Sequence, residues 1–159
     1  MIGIISDTHD NVFAINKAVE ILKERKAQVV LHLGDIIASK TVLYFNGLPI
    51  KFLRGNCDGD IERVKEKIKE INGEFLGSFY ELSIENKKIA LIHAPDKIKE
   101  LALSNKYDYI LHGHTHQKRD ELIGNTRIIN PGGFYLGDEE HSIALLDAKE
   151  DGLEFIRID

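Results

Sequence analysis

The sequence has no tryptophan, one methionine, one cysteine and three prolines in 159 residues. A single cysteine, Cys57, excludes an intrachain disulfide and a cysteine-cage zinc site, so any metal must be held by His, Asp, Glu or Asn. No apolar run approaches the ~20 residues of a membrane-crossing helix. The N-terminal run Met1–Ser6 meets Asp7 and His9 before it reaches the length of a secretory signal core, and the expectation is a cytoplasmic protein with no membrane contact. A basic excess is also missing. Twenty-one Lys and Arg stand against 26 Asp and Glu, a formal net charge of −5, which disfavours nucleic acid as a partner because phosphate contacts dominate that affinity. Repeats, low-complexity tracts and linkers are absent too. What is present is 43% hydrophobic and 30% charged residues, enough apolar material for one core and a single domain over 1–159.

The first half alternates strand and helix patterns. Met1–Ser6, Gln28–Leu33 and Ile50–Arg54 read as buried strands. Asn11–Lys26 carries Ile15, Val19 and Leu22 at helical spacing, with Asp10 or Asn11 as its cap. Ser39–Asn46 reads as a short helix, and Asp60–Ile71 as an amphipathic one with Ile61, Val64, Ile68 and Ile71 on one face. The second half is richer in strands. Phe79–Ile84 with Lys88–His93, Asp120–Ile123 with Thr126–Ile129, and Ser142–Asp147 with Leu153–Ile158 read as hairpins. Pro95–Asn105 reads as a helix and Tyr109–His112 as a strand. The expected class is α/β, with a βαβαβ start and a more antiparallel second half.

The apolar runs end in chemically similar residues. They deliver Asp7-Thr8-His9, Gly34-Asp35, Gly55-Asn56-Cys57-Asp58, His93 and Gly113-His114-Thr115-His116 in turn. In α/β sheets the carboxyl ends of strands are where loops converge on ligands. Imidazole and carboxylate suit manganese, iron, zinc or nickel. Two such cations about 3.5–4 Å apart need a shared anionic ligand, and Asp35, in the middle of the series, is the candidate bridge. Gly34, Gly55 and Gly113 allow backbone to approach where a side chain would obstruct. If His114-Thr115-His116 is extended, its two imidazoles point the same way and can serve neighbouring metals.

Taken one at a time, these residues have ordinary explanations. Asp7 and Asp35 could cap helices, Asn56 and Asp58 could simply make a turn, and Arg54 could pack at a strand end or meet substrate phosphate. His32 and His112 lie inside apolar runs and are assigned to packing, while His141 is assigned to a solvated loop.

As an ordered set, the five motifs resemble those of the calcineurin-like metallophosphoesterases. The small size and Gly55-Asn56-Cys57-Asp58 are most similar to a compact prokaryotic phosphodiesterase subgroup. The resemblance implies a two-sheet β-sandwich flanked by helices, in four layers. It implies a binuclear-metal-dependent phosphodiesterase that hydrolyses a small phosphate-ester substrate by in-line attack of a metal-bridging hydroxide. One metal would be held by Asp7, His9, Asp35 and His116, and the other by Asp35, Asn56, His93 and His114. The cofactors would be two divalent ions, manganese first, with nickel, iron or zinc as alternatives. Asn56, Cys57 and Asp58 would be the catalytic positions, Asp58 chiefly by orienting its neighbours.

The chain departs from the family pattern in three places. Cys57 stands where many members have a histidine credited with assisting the leaving group, so substrates with acidic leaving groups are expected. His93-Ala94-Pro95 replaces His-Gly-His. Asn130-Pro131-Gly132-Gly133 replaces Asn-Pro-Gly-Ser and is expected to shape the site. The alternative function is a binding or scaffold module on the same fold, as in a eukaryotic coat-complex subunit. Apolar residues at Phe134–Leu136 are candidates for a partner or homodimer contact.

Overall fold

The structure, a computed structural model, describes residues 1–158. Its first strand shows how the chain builds its layers. β1 (Ile2–Ile5) is apolar on both faces, as a strand covered on both sides must be. Ile2 and Ile4 enter one core and Ile5 the other. Gly3 leaves room for the helix above it, since a Cβ there would lie 2.5 Å from Leu22 Cδ2. That helix, α1 (Val12–Glu24), is capped by Asn11, whose side chain accepts from the Ala14 N–H at 3.2 Å. It buries Ala14, Ile15, Ala18, Val19 and Leu22, and each fully buried large aliphatic side chain contributes about 1.5–3 kcal/mol.

Two sheets result. The first has the order β11-β10-β1-β2-β3-β4, where β2 is Val29–His32, β3 Ile50–Leu53, β4 Glu74–Gly77, β10 Ser142–Asp147 and β11 Gly152–Arg157. Strands β1 to β4 run parallel, and β10 and β11 add antiparallel. The second has the order β5-β6-β7-β9-β8, with β5 Phe79–Ile84, β6 Lys87–Ile92, β7 Tyr109–Leu111, β8 Lys118–Ile123 and β9 Thr126–Pro131. Ile4, Leu31 and Leu53 of the first sheet meet Leu91, Leu111 and Ile129 of the second in the central core. On the outer face of the first sheet lie α1, a 3-10 helix (Ser39–Phe45) and α2 (Ile61–Glu70). On the outer face of the second lies α3 (Ile98–Leu103), through Ile98 and Ala102. This is the expected four-layer α/β sandwich. No helix among the described residues is long and apolar enough to cross a membrane.

The differences from the sequence reading are local. Ser39–Phe45 is a 3-10 helix, and the Pro95–Asn105 segment splits into a 3-10 turn at Pro95–Lys97 followed by α3. β4 has no counterpart in that reading, because four residues ending on a glycine carry no periodicity. The second sheet is more parallel than expected, since β6-β7-β9 run together at its centre. Phe134 is fully buried in the core, so only Tyr135 and Leu136 of the Phe134–Leu136 patch are exposed. His141 is not in a free loop; it bridges to Gly133, and its Nε2 lies 3.0 Å from the Tyr135 carbonyl oxygen.

Candidate metal centre

The parallel strands of both sheets end at one edge, and the loops leaving them bring all seven candidate ligands into one cluster. Asp7 and His9 follow β1, Asp35 follows β2 and Asn56 follows β3. His93 follows β6, and His114 and His116 follow β7. Hydrogen bonds stitch neighbouring loops together within each sheet. The Asp7 N–H donates to the Gly34 carbonyl at 2.9 Å, the His9 N–H to the Asp35 carbonyl at 3.1 Å and the Gly113 N–H to the His93 carbonyl at 3.1 Å. The backbone is strained here. Asp7, His9, Asp35, His114 and His116, five of the seven, have positive φ, between 41° and 69°. Each such residue costs roughly 1–2 kcal/mol, and strain concentrated this way marks functional sites. Neither Asp7 nor Asp35 caps a helix.

At one end of the cluster the buried Asp7 carboxylate faces two imidazoles. Its Oδ2 accepts from the Ser6 hydroxyl at 2.5 Å and from the His114 N–H at 2.9 Å. Its Oδ1 is buried and has no hydrogen-bond donor. That oxygen lies 3.5 Å from His116 Nε2 and 4.0 Å from His9 Nε2, and the two imidazole nitrogens are 3.1 Å apart. The Asp138 carboxylate lies 3.2 Å from His116 Nδ1, which turns the Nε2 lone pair toward Asp7 and His9. Without a cation, the facing Asp7 carboxylate outweighs the opposing partial burial and leaves the His116 pKa raised to about 9, with Asp138 adding to the rise.

At the other end Asn56 Oδ1 lies 2.9 Å from both His93 Nε2 and His114 Nδ1. His93 Nδ1 is 2.8 Å from the Leu33 carbonyl oxygen, which can only accept, so Nδ1 carries the proton. The Nε2 lone pair then points at two oxygens, Asn56 Oδ1 and Asp35 Oδ1 at 3.5 Å. A proton or a cation placed between them reconciles three such acceptors. Burial pulls the His93 pKa down, but the Asp35 and Asp7 carboxylates outweigh it and the pKa is raised.

Asp35 joins the two ends. Its Oδ2 lies 3.7 Å from His9 Nε2, while its Oδ1 faces His93 and accepts from the Cys57 N–H at 2.8 Å. Burial raises its pKa, but the neighbouring His93 imidazole and the Cys57 N–H more than offset this and hold it ionised. Ligand atoms about 2.1 Å from a shared ion are separated by about 3–4 Å, the spacing found at both ends. Asp7, His9 and His116 form one group able to hold a cation, and Asp7, Asp35 and His93 form an overlapping second group. The donor chemistry, the orphaned Asp7 oxygen and the facing acceptors therefore fit divalent metal.

Around this cluster the remaining residues hold loops in place. The Asp58 carboxylate accepts from four backbone N–H groups: Gly55 (2.6 Å), Ile36 (2.7 Å), Ile37 (3.1 Å) and Asp35 (3.3 Å). It braces the Asp35 and Asn56 loops and keeps Ile37, a β-branched residue, at φ 82°. A Cβ on Gly55 would collide with the Asp35 backbone and carboxylate, and one on Gly113 with Ser6 and Asp7. Asn130 is buried, and its amide donates to the Gly113 carbonyl and to Thr115 Oγ1, both at 3.0 Å, so this turn shapes the His114–His116 loop. His114-Thr115-His116 is not extended. Both histidines are left-handed, and they diverge, His114 toward Asn56 and His116 toward Asp7. Cys57 is exposed; partial burial and then the Asp35 carboxylate raise its thiol pKa, so it remains a thiol. His32 and His112 are buried near the site, as expected of packing residues. Asp138 and Tyr135, whose ring lies 5.5 Å from that of His9, are additions with no local sequence signal; the turn after β9 carries them to the site.

The family model of the calcineurin-like phosphoesterase superfamily domain matches residues 1–151. The chain is 33% identical to phosphodiesterase MJ0936 of Methanocaldococcus jannaschii, over 94% of this chain and 93% of that one. Among solved structures, an archaeal phosphodiesterase superposes with a TM-score of 0.92 at 29% identity, covering 98% of both chains. The Escherichia coli phosphoesterase YfcE superposes with a TM-score of 0.68 at 18% identity over 99% of both chains, a likeness of fold.

Proposed function

The chain belongs to the calcineurin-like phosphoesterase superfamily, and from that premise we propose that it is a binuclear-metal-dependent phosphodiesterase. The observation that carries this is the arrangement around Asp35, with one oxygen turned toward each group of imidazoles while Asp7 Oδ1 sits buried without a donor. Asp7, His9, Asp35 and His116 would hold one ion, and Asp35, Asn56, His93 and His114 the other. Bound there, two divalent ions supply Lewis acidity for a water nucleophile and for the charge that develops on the phosphoryl oxygens.

The chain's own residues set the geometry of the reaction. Asp138 and the Leu33 carbonyl fix the tautomers of His116 and His93, so that both Nε2 lone pairs face inward. Asp58 and Asn130 hold the loops in register. In-line displacement would then place the departing ester oxygen opposite the attacking water, on the side of the phosphate away from these loops. Cys57 keeps its proton and offers no imidazole to the departing alkoxide, so diesters with acidic leaving groups are the best substrates. Manganese is the first choice of metal, with nickel, iron and zinc as alternatives.

The test is elemental analysis together with turnover of bis(p-nitrophenyl) phosphate. Two ions per chain and manganese-dependent hydrolysis are expected. Protein that takes up no divalent metal and leaves this diester intact refutes the reading.

A further inference from the structure

Beside the Asn56 end of the cluster lies an open cleft of about 310 Å³, lined by Arg54, Asn56, Ser78, Ile92, His93 and Ala94. It shares Asn56 and His93 with the candidate metal centre and so opens directly beside it. Arg54 is exposed and has no ion pair or hydrogen bond from its guanidinium among the described residues. Arg25, Arg63, Arg119 and Arg127 each pair with a carboxylate, and Arg157 is also engaged. The position of Arg54 is set by the backbone: its N–H donates to the Gly77 carbonyl at 2.8 Å, next to a register shift between β3 and β4. The neighbouring Ser78 and Ala94 are small and leave the cleft open.

The opposite flank has the other sign. There a larger cavity of about 600 Å³ beside His116 is lined by Asp138, Glu139 and Glu140, with Lys118 already paired to Glu140. A substrate crossing the centre therefore meets carboxylates on one side and an uncommitted guanidinium on the other.

We propose that Arg54 is a specificity-determining residue that recognises a second anionic group, a carboxylate or a further phosphate, on one arm of the diester. The substrates would be phosphodiesters with one anionic arm, seated in the Arg54 cleft, and one neutral or cationic arm, directed to the Asp138–Glu140 side. Guanidinium suits planar, two-point recognition of such an anion. The acidic flank repels it, so the substrate is oriented in a single sense. This inference rests on the phosphodiesterase reading for the position of the reacting phosphate.

The test compares matched probes on the manganese-loaded protein. Calorimetry measures binding of ethylphosphonate and 2-carboxyethylphosphonate, and kinetics measures hydrolysis of the p-nitrophenyl diesters carrying the same two arms. The carboxylate probe is expected to bind about tenfold tighter, and its diester to have a kcat/KM higher by a similar factor, mainly through KM. In Arg54→Gln the ratio between the two probes falls toward one, in Arg54→Lys part of it survives, and in Arg54→Glu it inverts. Equal affinity for both probes in the parent, or a ratio unchanged in Arg54→Gln and Arg54→Glu, overturns the proposal. Tighter binding of the carboxylate probe that depends on Arg54, without hydrolysis of either diester, leaves the anion site standing and refutes the catalytic reading instead.

Discussion

At the Asp7 end of the cluster the carboxylate is wholly buried, fixed by Ser6 and the His114 N–H, and His9 and His116 are half-buried. At the Asn56 end two of the three residues, Asn56 and His114, are exposed, and the oxygen contributed there by Asn56 is uncharged. The first end is part of the fold: its oxygen has no water to fall back on, and an unpaired buried carboxylate oxygen is costly. The second end is assembled from loop tips around the buried His93. One expects the ion at the Asp7 end to bind tightly and exchange slowly, and the ion at the Asn56 end to be the exchangeable one.

The change that erases this contrast is Asp35→Asn, because it removes the charge both ends share. Turnover is expected to fall by about a thousandfold, with loss of both ions by elemental analysis; a variant that keeps two ions and full activity breaks the bridging assignment. A pair of variants sharpens the contrast next. His114→Ala should leave one tightly held ion per chain and raise the manganese concentration needed for activity by about ten- to a hundredfold, whereas Asp7→Asn should empty the tight site. If metal titration shows the same residual stoichiometry and affinity in both variants, the two ends are equivalent. Asp58→Asn removes acceptor capacity from the brace between the Asp35 and Asn56 loops. Activity should drop about tenfold and recover in part at high manganese, since the ligands remain but their positions loosen; a loss that no metal concentration restores would mean a direct part in the chemistry.

A different kind of effect, on stability rather than turnover, lies beneath the site. Burial lowers the His32 pKa from 6.5 to about 4, against the opposing pull of Asp58 and Asp7, so the folded protein keeps this imidazole neutral. The unfolded chain takes up a proton below pH 6.5 and the folded one does not until about pH 4. Stability must therefore fall as pH drops through that window, by up to ~1.4 kcal/mol per pH unit, and level off below it. Urea titrations of chelated protein check this. The parent should lose stability relative to His32→Gln across the window, and a constant difference between them would contradict the assignment.

Sequence alone located the candidate ligands and their order because each follows an apolar run, and a strand's end fixes where its next residues emerge. It did not reveal how those residues turn. His114 and His116 were expected to point together from extended chain, yet left-handed backbone sends them to opposite ends, a consequence of hydrogen bonds from Asn130 and to Asp7 that arise only after folding. Asp138 and Tyr135 were invisible for the same reason. β4 went unseen because the packing of Leu76, rather than any pattern in four residues, makes it a strand. Phe134 was misplaced because it sits in a short loop, where composition says nothing about which neighbour points inward.

Asp7, His9, Asp35 and Asn56 come from the first sheet, while His93, His114 and His116 come from the second. Any ions held there would act as a rivet through the sandwich, closing only when the two halves sit in correct register. A slackening of the central apolar contact, at Leu91 or Leu111 for instance, would then announce itself as leaked metal well before any strand came apart.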